Sequence, residues 1–146
     1  MTYPITFEKN ASPEDIARID EGIEAHTEEL FPGKWRKGLT FFVRDDKGTV
    51  VGGVTGNYGS FGWLWVNTLW VRSDLRHGGY GTQLMAMIEA EAYSGGARQA
   101  FLNTMSFQAP EFYKRLGYTV FAELPDFPPG HSRIYFKKTL SKTLAM

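Results

Sequence analysis

Between Leu69 and Met85 the chain passes from an apolar run through Arg76-His77-Gly78-Gly79-Tyr80-Gly81-Thr82 into a helical pattern, and this order constrains the fold more than any other feature. A strand that turns on glycines into a helix aims several backbone N–H groups and a helix N-terminus at one spot, and that spot favours an anion. Gly79 and Gly81 let the backbone approach a phosphate with no Cβ between them, Arg76 adds charge, and Thr82 adds a hydroxyl in the first turn. A pyrophosphate fits the arrangement. Glycines also gather where a chain merely reverses, so the flanking strand and helix carry the reading. The segment is not a Walker loop, which ends in Gly-Lys-Ser or Gly-Lys-Thr, nor a dinucleotide turn, which needs a third glycine and a downstream acid.

Upstream of the turn the pattern has a period of two. Leu39 to Arg44 and Thr49 to Tyr58 are β-rich runs joined by Asp45-Asp46-Lys47-Gly48, a hairpin composition, and Gly59-Ser60 permits a reversal into the aromatic run Phe61 to Arg72. Three such runs predict an antiparallel meander. Nearer the start, Ile5 and Phe7 alternate as a short first strand. Ser12-Pro13-Glu14-Asp15 then supplies an N-cap, a first-turn proline and an acid at the third helical position. Ile16, Ile19, Ile23, His26 and Leu30 recur at helical spacing up to Pro32-Gly33, which predicts a helix with one inward apolar face that includes His26.

Downstream, Leu84, Met87, Ile88 and Ala92 predict a helix from Tyr80 to the stop at Gly95-Gly96. Gln99 to Thr104 reads as a strand and about Gln108 to Leu116 as a short helix, with Pro110 in its first turn and Gly117 as its stop. Tyr118 to Glu123 and Ser132 to Lys138 are the last strands, around a loop from Leu124 to Gly130. The expected architecture is α/β, a mixed, mostly antiparallel twisted sheet of about six to seven strands flanked by helices, in one domain over residues 1–146.

Composition narrows the partners. Lys plus Arg number 16 and Asp plus Glu 16, so no overall field draws the chain to nucleic acid or to an anionic membrane. The absence of cysteine removes disulfides, thiolate metal sites and a cysteine nucleophile, and no metal is expected. No stretch approaches the roughly 18 apolar residues of a membrane span. Met1-Thr2-Tyr3-Pro4 is not followed by a basic patch and an apolar run, so a cytoplasmic location is expected.

Arg76-x-x-Gly79-x-Gly81, preceded by the apolar strand Leu69-Trp70-Val71, resembles the acyl-CoA pyrophosphate motif of the GNAT superfamily. Ser106-Phe107-Gln108-Ala109-Pro110-Glu111-Phe112-Tyr113-Lys114-Arg115-Leu116-Gly117-Tyr118 is similar to the superfamily's second signature, and the resemblance covers roughly Phe41 to Lys138. It implies an N-acetyltransferase with acetyl-CoA as cosubstrate. The cofactor would rest on Arg76, His77, Gly78, Gly79, Gly81 and Thr82. Its pantetheine arm would lie in a splayed gap between the strands ending at Val71 and Thr104, bonded by the Leu69 and Val71 main chains, with a β-bulge opening the first of them. Two positions depart from the pattern: His77 stands where a glycine is usual, and Ser106 where an Asn commonly touches the cofactor, with Gln108 or Asn103 as alternative amides.

Acyl transfer to an amine needs an unprotonated amine, a polarised carbonyl and a proton for the departing thiolate. By the resemblance Tyr113 is the general acid; a tyrosine packed beside Phe112 is the plainer alternative. The strand positions where many relatives carry a Glu hold Trp63, Trp65 and Asn67, which leaves His26, Glu29, Asp126 and His131 as candidate bases. For His26, packing is the plainer reading. Trp63 and Trp65, with His26, Glu29 and the loop through Phe127, are the expected acceptor side. The expected acceptor is a small, partly apolar primary amine acetylated directly in a ternary complex. A protein or peptide acetyltransferase and a non-catalytic acyl-CoA-binding module are the alternatives, and a homodimer is compatible with the class.

Overall fold

A computed structural model describes residues 1–142, and they divide into two compact units, Met1–Lys34 and the chain from Trp35 onward. In the first unit α1 spans Pro13–Leu30. The Ser12 hydroxyl accepts from Asp15 N–H at 3.1 Å, and Glu14 and Asp15 complement the helix dipole. Glu28 Oε1 accepts from Gly33 N–H at 2.7 Å just past the C-terminus, where Gly33 holds φ +78°.

Two expectations fail in this unit. Ile5 and Phe7 form no strand and are exposed, since one alternating pair offers too few ladder bonds without a partner strand. The expected inward face of α1 is not inward either: Ile16, Ile19, Ile23 and Leu30 are exposed, no residue of the helix is buried, and His26 is exposed with them. Periodicity predicts an apolar stripe, but burial needs a second element, and Met1–Lys34 contains no other helix or strand.

The second unit is a six-stranded sheet in the order β1-β2-β3-β4-β6-β5. Its strands are β1 Arg36–Arg44, β2 Val50–Gly59, β3 Trp63–Val71, β4 Gln99–Met105, β5 Thr119–Pro125 and β6 Ser132–Thr139. The Asp45 carboxylate accepts from the N–H groups of Lys47 and Thr49, both at 2.9 Å, and Gly48 takes φ +83°, which closes the β1–β2 hairpin. Residues Leu124 and Pro125, expected in a loop, belong to β5. This edge strand has no partner on its outer side, so a terminal proline removes no bond there.

Two helices, α2 Tyr80–Ser94 and α3 Pro110–Arg115, complete the unit. The second starts at Pro110 rather than Gln108, because Gln108 Oε1 accepts from Met105 N–H at 2.9 Å and Thr104 Oγ1 at 3.2 Å and so ties off the preceding turn. Leu84, Met85, Ile88 and Ala92 of α2 join Val54, Leu64, Val66, Ala100, Leu102 and Phe136 in one buried core on the helical side of the sheet. Strand alternation sends Trp63, Trp65, Phe101, Asn103 and Tyr135 to the other side. Among the described residues no helix is long and apolar enough to cross a membrane.

β3 and β4 run parallel but pair only through Trp63 with Gln99, Leu64 with Ala100 and Trp65 with Phe101. Beyond Trp65, β3 keeps only β2 as a neighbour and β4 only β6. The divergence begins at a bulge: Thr68 lies opposite Thr55 and Val66 opposite Gly56, so Asn67 is the extra residue.

Candidate active site

The turn into α2 presents unbonded donors. Its first intrahelical bond runs from Gln83 N–H to Gly79 O at 3.0 Å, and no side chain caps the helix, which leaves the N–H groups of Tyr80, Gly81 and Thr82 pointing outward. Gly79 holds φ +85° and His77 φ +67°. Only Gly79 meets that left-handed requirement without strain. Gly81 also has a packing reason to be bare: a Cβ there would stand 3.2 Å from Phe112 Cζ, so its absence lets α3 close on α2. Arg76 Nε donates to Val71 O at 3.3 Å, which folds the side chain across the end of β3. Arg72 is paired with Asp74 at 2.5 Å, and that hydrogen bond holds the Asp74 carboxyl below its usual range, leaving Arg76 as the cation facing the turn.

The divergence of β3 and β4 starts next to this turn. Arg72 N–H bonds Val51 O on the β2 side, so by alternation the main-chain groups of Val71 and Leu69 face the gap toward β4. On the other wall, Asn103 lies opposite Tyr135 and makes no side-chain hydrogen bond among the described residues. Ser106 is committed elsewhere: its N–H donates to Ser132 O at 2.7 Å and its Oγ accepts from Ser132 N–H at 2.9 Å, latching the ends of β4 and β6 together. Its hydroxyl proton remains free to donate.

Tyr113 on α3 is 8% exposed and packs against Phe112, Tyr118 and Phe136 with ring centroids 5.1, 6.0 and 6.0 Å away. Burial pushes its phenol up to about 12, so it is protonated at any ordinary pH. Among the described residues the hydroxyl has no hydrogen-bond partner, yet it is not among the sealed atoms that lack one. Its neighbour Tyr118 donates to Glu89 Oε2 at 2.9 Å, while Lys138 donates to Glu89 Oε1 at 2.8 Å. This half-buried triad ties α2 to β6, and burial followed by the Glu89 charge raises the Tyr118 pKa well above its usual value.

On the far side of the sheet, Trp65 and Trp63 both pack on Phe101, at centroid distances of 4.7 and 5.7 Å. Past the end of β4, the His131 ring meets Phe107 at 5.1 Å and the Arg133 guanidinium lies 4.7 Å over the Phe127 ring. Asp126 takes φ +55° in the same loop. His26 and Glu29 lie on α1, in the unit Met1–Lys34, and both are exposed. Among the described residues no group of three or more His, Cys, Asp or Glu is gathered to hold a metal. Sequence reasoning missed Arg133, whose place in an alternating strand reads as a solvated charge. It also missed the closing role of Gln108.

A family model described as "Acetyltransferase (GNAT) domain" matches residues 37–120. A blasticidin-S acetyltransferase of Streptomyces morookaense is 41% identical over 86 residues, which cover 58% of this chain and 62% of that protein, so the match spans less than two thirds of the relative's length. An acetyltransferase of Agrobacterium fabrum is 30% identical over 128 residues, covering 88% of this chain and 93% of its own. The crystal structure of an acetyltransferase from Bacillus cereus superposes with a TM-score of 0.84 at 33% identity, covering 92% of this chain and 98% of that one.

Proposed function

The chain belongs to the GNAT acetyltransferase family, and from that membership we propose that it transfers an acetyl group from acetyl-CoA to the primary amine of a small molecule, directly and in a ternary complex. The observation that carries the reading is the juxtaposition of uncapped N–H groups at the start of α2 with the gap between β3 and β4. A diphosphate suits the first, since helix N-termini favour anions. An arm bearing amide groups suits the second, since unpaired strand edges offer both donors and acceptors. The pyrophosphate rests on Gly79, Gly81 and Thr82 with Arg76, His77 and Gly78 around it, and the arm passes Leu69 and Val71 on one wall and Asn103 and Ser106 on the other.

This arrangement separates the two reactants. The turn opens on the helical side of the sheet, and the gap leads through to the side bearing Trp63 and Trp65, so the acceptor amine meets the acetyl group from the aromatic face. Tyr113 hydrogen-bonds the departing sulfur through its phenol proton and stabilises the charge that develops there. No carboxylate occupies β3, where Trp63, Trp65 and Asn67 stand in line. The amine therefore sheds its proton to water, or to a side chain beyond that strand such as Asp126 or His131. A small acceptor is supported by the relative named for blasticidin-S.

The reading is tested by mixing the protein with acetyl-CoA and a panel of small amines and following thiol release. Turnover of a small amine supports it. Turnover of peptide N-termini or lysines alone points to a protein acetyltransferase, and acetyl-CoA binding with no turnover points to a sensing module.

A further inference from the structure

The aromatic face ends in a cation that pairs with no anion among the described residues. Arg133 stands on β6 opposite Met105 of β4 and Leu124 of β5. Its Nε is buried with no hydrogen-bond partner, and among the described residues its guanidinium joins no ion pair. The carboxylate nearest in the ladder is already engaged, since Glu123 is paired with Ile134 and accepts from the Ser132 hydroxyl at 2.8 Å. A sealed donor with nothing to bond is unfavourable, and such local violations collect at functional sites.

The geometry of the guanidinium suits one kind of ligand. Its Cζ lies 4.7 Å over the Phe127 ring, a contact that attracts the guanidinium to this place, and the two Nη groups are not sealed. A planar fork matches the two oxygens of a carboxylate. Lys137, the other cation on this side of β6, is exposed and has no such contact among the described residues.

Its placement relates the fork to the gap. Asn103 lies opposite Tyr135, and Arg133 is two residues from Tyr135 on the same side, so Arg133 is the diagonal neighbour of Asn103, about 7–8 Å away between Cα atoms. In the other direction along β4, Phe101 packs on Trp65 at 4.7 Å. The gap thus has the aromatic pair at its closed end and the Arg133 cation one strand beyond β4, on the same side of the sheet. Resting on the acetyl-transfer reading above, we propose that Arg133 determines acceptor specificity: the favoured amine carries a carboxylate held by this fork and a planar or apolar portion laid on Trp65 and Phe101.

The test uses 4-(aminomethyl)benzoate and its uncharged counterpart 4-(aminomethyl)benzamide, titrated against the full chain saturated with CoA and followed by tryptophan fluorescence. The acid is expected to bind about 10- to 100-fold more tightly than the amide. Arg133→Gln brings the acid down to the level of the amide and leaves the amide unchanged, while Lys137→Gln keeps the discrimination. Should the Gln variant fail to fold, Arg133→Lys, which keeps the charge and loses the fork, discriminates less than the wild type. With acetyl-CoA in place of CoA, the preference appears in kcat/KM, through KM more than kcat. Failure of the acid to bind at millimolar concentration, equal affinity for both probes, or equal loss of both in Arg133→Gln overturns the proposal. Melting curves with acetyl-CoA separate the two layers: no ligand-induced rise in the wild type sinks the acetyl-transfer reading, whereas a normal rise with no preference for the acid sinks only the role of Arg133.

Discussion

Replacing Tyr113 with Phe removes one oxygen and leaves the ring among Phe112, Tyr118 and Phe136. The hydroxyl bonds nothing among the described residues, so the melting temperature should move by no more than about 2 °C. Burial holds the phenol up to about 12, against an ordinary thiol value of about 8.5. Complete proton transfer to the free thiolate, once the C–S bond has broken, is therefore uphill by roughly 5 kcal/mol. The phenol contributes instead by hydrogen-bonding the sulfur as charge develops there, an interaction made in the transition state and not in the ground state. Its loss is expected to lower kcat by about 10²- to 10⁴-fold, with acetyl-CoA affinity nearly unchanged. The assay is kcat for both proteins across about pH 6 to 9 with one identified amine. Because the acid stays protonated throughout that window, the wild-type profile has only a rising limb, set by the amine losing its proton. The gap between the proteins narrows toward the alkaline end, where the thiolate leaves with less help. An unchanged kcat at every pH refutes the role of Tyr113. A falling limb in the wild type that vanishes in the variant refutes the account of its burial.

Acetyl-CoA at about 100 times its Kd should stabilise the protein by about 2.7 kcal/mol. Gly81→Asp should abolish that rise in melting temperature by placing a negative charge at the anion site and a Cβ 3.2 Å from Phe112 Cζ; a rise retained in the variant would contradict the placement. Trp65→Ala should raise the acceptor KM while leaving acetyl-CoA binding intact, measured by steady-state kinetics and calorimetry; the reverse pattern would make this face part of the cofactor site. Tyr113 and Tyr118 stay protonated in the folded state to higher pH than in the unfolded chain. Stability should therefore hold up to about pH 10 and fall above it, by about 2.3 kcal/mol at pH 12 from Tyr113 alone. Urea midpoints at successive pH values read the fall, and it should be shallower in Tyr118→Phe.

Local chemistry was the most legible part of the chain. The Ser12 cap, the Asp45 to Gly48 hairpin and the helix between Tyr80 and Gly95 depend on neighbouring residues and stand where the pattern puts them. The Ile16, Ile19 and Ile23 stripe has the periodicity of a buried face, and periodicity carries no information about whether an element arrives to cover it. The gap between β3 and β4 was reached only through resemblance, because nothing in the composition of Val66 to Val71 tells a paired strand from an unpaired one. His77 stands where the resemblance implies a glycine. The backbone still takes the left-handed turn there, at φ +67°, with an unfavourable energy of about 1–2 kcal/mol. Arg133 could not be found at all, since its ring partner Phe127 and its sealed Nε come together only when the β5–β6 loop folds back.

The seam of three residue pairs between β3 and β4 also divides the chain in sequence: β1, β2, β3 and α2 precede Gly96, and β4, α3, β5 and β6 follow it. Each half of the sheet is thus made from one uninterrupted stretch of polypeptide. A break in the connection between α2 and β4 would cut no strand, so the two fragments could be supplied as separate molecules, and the one core they share would form only on reassembly. A ligand with one end on the α2 turn and its arm against β4 would belong to both fragments. It would promote their reassembly in proportion to its concentration, and the pair would behave as a split reporter for the acyl donor.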